Sequence, residues 1–98
     1  MGTPRILLLT LLIWALPAAA ADLTPGQTLA ATCANCHGTD GKSVGAVTSL
    51  AGMPAQTLLQ RIAEFKDGTR AATIMHQIAK GYTDEQMQQI AEYFAARK

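Results

Sequence analysis

Both cysteines of this 98-residue chain and one of its two histidines fall in a single run, Thr32-Cys33-Ala34-Asn35-Cys36-His37-Gly38. Three chemistries use a cysteine pair at this spacing. A redox-active disulfide is expected near a βαβ pattern, with its first thiol activated at a helix start. Here the pair closes a helical stretch in a chain with no strand pattern. A structural zinc site needs four ligands. Beyond the cysteines the candidates are His37, crowded against Cys36, and the distant His76. Covalent attachment of a c-type haem has Cys-x-x-Cys-His as its signature. Each thiol adds to a vinyl group on one edge of the porphyrin, and the adjacent histidine gives its imidazole nitrogen to the iron. This third chemistry alone gives His37 a role, so one haem c held by Cys33 and Cys36, with His37 as an axial ligand, is expected.

The identity of the second axial ligand separates electron transfer from small-molecule chemistry, because a thioether raises the potential and closes the site. Three methionines follow the motif. Met87 sits within an apolar helical stripe and reads as a core filler. Met53 precedes Pro54 but follows His37 by only 16 positions, too few to round the haem edge comfortably. Met75 follows by 38 and leaves one helix to close the fold, so Met75 is assigned opposite His37. His76 beside it is expected to face solvent.

The elements that must position these groups are helical almost throughout. Thr24-Pro25-Gly26-Gln27 reads as a helix start, with Thr24 as N-cap, Pro25 at the first helical position and Gln27 completing a capping box. Leu29 and Cys33 then share a face. Pro54 opens a second helix, in which Leu58, Leu59, Ile62 and Phe65 recur at helical spacing and Gly68 is the stop. A short third helix fits Thr73 to Lys80, with Ile74, Met75 and Ile78 inward and Gly81 ending it. Thr83-Asp84-Glu85-Gln86 is another capping box, and the helix it opens carries Met87, Ile90, Ala91 and Phe94 as one stripe. Its acids lie in the first turn and Arg97 and Lys98 at its end, as the helix dipole favours. Gly38 to Gly52 reads as a loop with at most one turn of helix.

The N-terminus has a different composition. Arg5, an apolar run from Ile6 to Leu16, small residues Ala18 to Ala21 and then Asp22 give the order of a cleavable secretory signal. The run is about half the roughly 20 apolar residues that span a bilayer. Cleavage after Ala20 or Ala21 is expected, which leaves residues 22–98 as one exported, periplasmic domain with no membrane span. The chain carries eight basic and seven acidic residues, and losing Arg5 with the signal leaves seven of each. That balance offers no basic footprint for nucleic acid and little long-range steering of a partner. No arrangement of acid–base catalytic groups stands out. Asp40, Asp67 and Asp84 lie in turn or cap contexts where carboxylates serve the backbone, and Lys42, Lys66 and Lys80 read as solvated surface.

Taken together, Cys33-Ala34-Asn35-Cys36-His37-Gly38, the Gly-rich loop, the late methionine and Ile90-Ala91-Glu92-Tyr93-Phe94 resemble a small class I cytochrome c. The resemblance implies an all-α fold of about four helices around one covalently bound haem. It also implies that the first and last helices cross, with Gly26 and Leu29 or Ala30 meeting Ile90, Tyr93 and Phe94. The runs His37 to Gly45, Glu64 to Gly68 and especially Thr73-Ile74-Met75-His76-Gln77-Ile78-Ala79-Lys80-Gly81-Tyr82 are similar to the haem domains in the cytochrome subunit of flavocytochrome c sulfide dehydrogenase. That likeness places Met75 at the family's axial methionine and implies an FAD flavoprotein partner that oxidises sulfide and passes on its electrons. The well-known subunit carries two haems, whereas this chain has one attachment motif and matches a one-haem form.

The expected function is therefore periplasmic electron transfer with His37/Met75 ligation, as the electron-accepting subunit of such a dehydrogenase. A free monohaem carrier serving an oxidase or reductase is the alternative, and a haem sensor or peroxidase-like enzyme with Met75 displaced is a weaker third. A domain this small seldom buries enough apolar surface alone, so covalent haem is also expected to complete its core. Circular dichroism of a Cys33→Ala, Cys36→Ala double variant should show loss of most native helicity; native helicity without haem would contradict this.

Overall fold

Residues 23–98, together with Gly2, are described by a computed structural model. The signal-type segment 1–21 expected from the sequence lies outside the described residues apart from Gly2. Among the described residues all regular structure is helical: α1 (Pro25–Ala30), a 3-10 turn (Ala31–Cys33), α2 (Ala34–His37), a 3-10 turn (Thr39–Gly41), α3 (Ala55–Asp67), α4 (Met75–Ala79) and α5 (Asp84–Ala95). The α1 to α2 segment forms one nearly continuous helical stretch, so four helical stretches build the fold, as expected.

The starts and stops follow local chemistry. Thr24 accepts the amide of Gln27 at 3.2 Å and Pro25 opens α1, but only this half of the anticipated capping box is made. At α5 both halves form: Gln86 N–H donates to Thr83 Oγ1 at 3.1 Å and Thr83 N–H to Gln86 Oε1 at 2.9 Å. α3 begins after Pro54 and ends at Gly68. The short helix expected over Thr73–Lys80 is confined to Met75–Ala79. Ile74 is the reason, since its φ of −139° is not helical, and its side chain is exposed rather than inward.

The core is small and wholly apolar: Ala30, Leu58, Ile62, Ala79, Met87, Ile90, Ala91 and Phe94, with Phe94 and Ile90 the largest fully buried side chains. α1 packs chiefly on α5, and α3 packs on α4 and α5. The α1–α5 approach turns on Gly26, where a Cβ would lie 2.6 Å from the Gln89 carbonyl oxygen and 3.5 Å from Tyr93 Cβ. The anticipated meeting of Gly26 with the last helix is thus a backbone-on-backbone contact. The other end of α5 anchors the loop after the cysteine motif. Gly41, at φ +77°, leaves room for Phe94, whose Cδ1 would lie 2.7 Å from a Cβ there, and Gly52 N–H donates to Phe94 O at 2.9 Å.

Polar contacts lock this frame from outside. Tyr93 O–H donates to Asp40 Oδ1 at 2.7 Å, and this bond holds the Tyr93 hydroxyl's pKa above its ordinary value. The Arg97 guanidinium lies 4.4 Å from the Tyr93 ring centroid. Asp67 accepts both the hydroxyl (2.6 Å) and the backbone N–H (2.8 Å) of Thr69, which hold its carboxyl below the usual range. The Asp67 carboxylate serves its turn, as the sequence context implies, whereas Asp40 reaches across to the last helix.

Gly26→Ala should lower the thermal unfolding midpoint of the holo-protein. An added methyl against fixed backbone costs about 1–3 kcal/mol, more than the roughly 1 kcal/mol of helix propensity it gains, and each kcal/mol corresponds to about 4–8 °C in a domain of this size. Gly45→Ala, where a Cβ meets nothing within 4 Å, should leave the midpoint unchanged.

Candidate functional site

The helical stretch that begins at Pro25 delivers Cys33, Cys36 and His37 to one wall of a cleft of about 690 Å³. That volume falls in the range of small-molecule and cofactor sites. α3 supplies Leu58, Ile62 and Phe65, the segment before α4 brings Ala71 to Ile74, α4 gives Met75 and Ile78, and α5 adds Met87 and Ile90. The lining is overwhelmingly apolar.

His37 is held by a contact that sequence reading did not supply. Its Nδ1 lies 2.6 Å from the backbone oxygen of Thr48. A carbonyl only accepts, so Nδ1 carries the proton and Nε2 keeps its lone pair for a metal. The partner is a main-chain atom eleven positions on, in a segment read only as loop, and no side-chain type marks it. Other bonds within the loop hold that carbonyl in place. Leu50 N–H and Ala51 N–H both donate to Gly41 O, at 2.8 and 3.1 Å, and Ser43 N–H donates to Ser49 Oγ at 2.9 Å.

The two thiols are not joined to each other. Burial pushes the Cys33 thiol above its ordinary pKa, and the nearby Cys36 adds to the rise. A redox-active cysteine needs the reverse, a thiolate stabilised by a positive environment. A zinc set does not assemble either, since among the described residues no three His, Cys, Asp or Glu side chains come together. Two thiols on a helical turn, an imidazole presenting Nε2 and an apolar cleft of this size fit a covalently attached haem.

All three candidate methionines reach this cleft. Met53 and Met75 are half-buried and Met87 is buried in the core. Met75 stands at the first position of α4, while Met53 lies just before Pro54, its N–H donating to Leu50 O at 3.0 Å. Two expectations need correction. His76 does not face solvent: it is half-buried, and its Nδ1 is buried with no hydrogen-bond partner. Lys66 is no free surface cation, because its Nζ donates to Tyr82 O at 3.1 Å and lies 3.6 Å from the exposed Asp84 carboxylate.

Tyr82 closes the cleft between the cysteine motif and α5. Thr32 Oγ1 spends its hydrogen on Leu29 O at 2.9 Å, so in the 2.6 Å contact with Tyr82 the tyrosine hydroxyl is the donor. This tie between distant segments, like the arginines Arg61 and Arg70 on the lining, was not anticipated. The spacing of Arg61 from Leu58 and Phe65 on α3 is the signal that places it on the cleft face.

A family model described as Cytochrome c matches residues 23–97. The chain is 44% identical over 69 residues to the cytochrome subunit of sulfide dehydrogenase from Chlorobaculum tepidum, covering 70% of this chain and 63% of that protein. It is 40% identical to cytochrome c4 of Pseudomonas aeruginosa, covering 94% of this chain and 46% of the relative. The chain thus spans about half to just under two thirds of the length of these relatives. A solved structure of cytochrome c4 from Acidithiobacillus ferrooxidans superposes with a TM-score of 0.62 at 41% identity, covering 65% of this chain and 37% of that one.

Tyr82→Phe should cost about 1 kcal/mol in denaturant unfolding, the usual worth of one such bond. Thr32→Val should cost about the same, and the double variant should cost less than their sum, a cycle that isolates the tie.

Proposed function

The chain belongs to the cytochrome c family and transfers electrons on covalent haem c; from that premise we propose that it is the electron-accepting subunit of a flavin-dependent sulfide dehydrogenase. The observation that carries the electron-transfer site is the convergence of Cys33, Cys36, His37 and Met75 on one apolar cleft, with His37 oriented by the Thr48 carbonyl. The likeness to the sulfide dehydrogenase subunit supports the choice of donor.

In this reading Cys33 and Cys36 hold the haem through two thioethers. His37 Nε2 and the Met75 thioether would hold its iron, Met75 being chosen over Met53 by the longer stretch of chain that separates it from His37. Bound there, haem supplies a one-electron couple whose potential the axial pair and surroundings set. The Thr48 carbonyl fixes the imidazole tautomer and ring orientation. The apolar side chains of α3, α4 and α5 that line the cleft exclude water from it. An FAD flavoprotein subunit oxidises sulfide and delivers electrons singly to this chain, which hands them to a further acceptor. Residues 1–21 act as a secretory signal and residues 22–98 work in the periplasm. Among the described residues no helix is long and apolar enough to cross a membrane.

Met75→Ala should abolish the methionine-to-iron charge-transfer band of the oxidised protein and let the reduced protein bind carbon monoxide; a retained band would move the assignment to another residue. Purification from the native host tests the donor. A stable complex containing flavin supports the subunit reading, and a haem-loaded monomer never found with a flavoprotein replaces it with the free carrier.

A further inference from the structure

Asp40 stands alone among the described residues as a non-glycine residue in the left-handed region, with φ +54° and ψ +23°. Glycine takes that conformation freely, and the same turn has glycine to either side, at Gly38 (φ +87°) and Gly41 (φ +77°). Aspartate is among the few other residues that tolerate it, at some expense in backbone strain. An aspartate in glycine's place is explained by its side chain. The Asp40 carboxylate crosses 53 positions of sequence to accept the Tyr93 hydroxyl at 2.7 Å. Tyr93 is itself well seated. The Arg97 guanidinium lies 4.4 Å from its ring centroid and donates to its carbonyl oxygen at 3.3 Å, and the ring meets Phe94 edge-on with 5.4 Å between centroids.

From Asp40 a line of contacts runs to His37. The neighbouring Gly41 accepts Leu50 N–H and Ala51 N–H on its carbonyl oxygen, at 2.8 and 3.1 Å, and Ser43 N–H donates to Ser49 Oγ at 2.9 Å. Ser49 and Leu50 directly follow Thr48, whose carbonyl oxygen lies 2.6 Å from His37 Nδ1. The oxygen that orients the imidazole is therefore located by the 41–43 backbone. That backbone has two ties to α5: on the inside the Phe94 ring fills the space beside Gly41, and on the outside Asp40 holds Tyr93. The first is a packing contact without direction, whereas the second is directional and stops the turn from sliding along the helix.

We propose that Asp40, through its bond to Tyr93, is a positioning residue for His37: it fixes the turn from which the Thr48 carbonyl hangs and so keeps the imidazole aimed at the iron. The proposal rests on His37 being an axial ligand. A hydrogen-bond acceptor behind a metal-binding imidazole works by staying put, because a ring that swings about its Cβ bond loses both the acceptor and its aim. As a contribution to global stability one exposed bond is small. Its effect is local, confined to the 38–52 loop and the histidine that the loop holds.

The test is hydrogen exchange in the reduced, haem-loaded protein, followed by NMR at His37 Nδ1–H and at the Ile62 amide inside α3, which reports global opening. Tyr93→Phe leaves the carboxylate but removes its donor. Asp40→Gly removes the carboxylate while relieving the backbone, so a turn that needed only its conformation would be improved by it. Each variant should speed exchange of the His37 proton about tenfold beyond any change at Ile62, the factor that matches the loss of one hydrogen bond. The double variant should be no faster than either single one, since both break the same tie. Asp40→Asn, which tolerates the same φ and still offers Tyr93 an oxygen, should stay within about twofold of the parent. Either single variant suffices should the other fail to accumulate. A His37 proton that quickens no more than the Ile62 amide overturns the proposal. A failure of the site reading shows separately in the parent, whose His37 ring protons would lack the ring-current displacement that a porphyrin imposes on an axial ligand, and it removes the proposal with it.

Discussion

Everything in this fold is referred to one contact, the backbone of α1 pressed on the backbone of α5 at Gly26. With 2.6 Å between a notional Cβ and the Gln89 carbonyl, no larger residue fits without moving a helix. The approach sets where α1 points and therefore where Cys33, Cys36 and His37 arrive, two to three helical turns later. Phe94 is the counterpart at the far end of α5, filling the space beside Gly41 and taking Gly52 N–H on its carbonyl. Between these two anchors α5 positions both the cysteine motif and the loop that carries Thr48.

The site inherits its chemistry from that arrangement. Thr48 offers only a carbonyl to His37, which puts a hydrogen on Nδ1 and turns Nε2 away from the main chain as the nitrogen available to a metal. The Cys33 thiol is discouraged from ionising by burial, an environment suited to a stable thioether and unsuited to thiol exchange. Beyond Cys33, Cys36, His37 and Tyr82, the walls offer mainly apolar side chains and two guanidiniums. Such a site can hold a charge-changing group and keep water from it. Carrying electrons is the work these surroundings suit.

Kinship narrows the partner less than it narrows the chemistry. The family match spans nearly all the described chain, whereas the individual relatives extend well beyond it. One is a subunit of a sulfide dehydrogenase and another a cytochrome c4, and the electron-transfer core is what the shared length encodes. The identity of the donor is a property of surfaces, and the exposed Val47 and Ile74 border the proposed site without a residue pattern that names a partner.

Much of this is legible in the residues alone because it depends on local chemistry. The attachment motif is contiguous, the caps at Thr24 and Thr83 are read from residues three apart, and the stripes on α3 and α5 repeat at helical spacing. Where local signals are weak the structure departs from them: Ile74 adopts a non-helical backbone and shortens α4, and Gln27 does not return the second bond of its capping box. Tertiary structure alone decided the contacts between distant segments. It put the Thr48 main-chain oxygen on His37, joined Tyr82 to Thr32, drew Lys66 to the Tyr82 carbonyl and turned His76 inward. It also left Arg61 in the cleft wall without a partner among the described residues. The reason is physical: a motif states which atoms can react, but which carbonyl or guanidinium meets them depends on how closely two helices approach, and that is settled where Gly26 lies against Gln89.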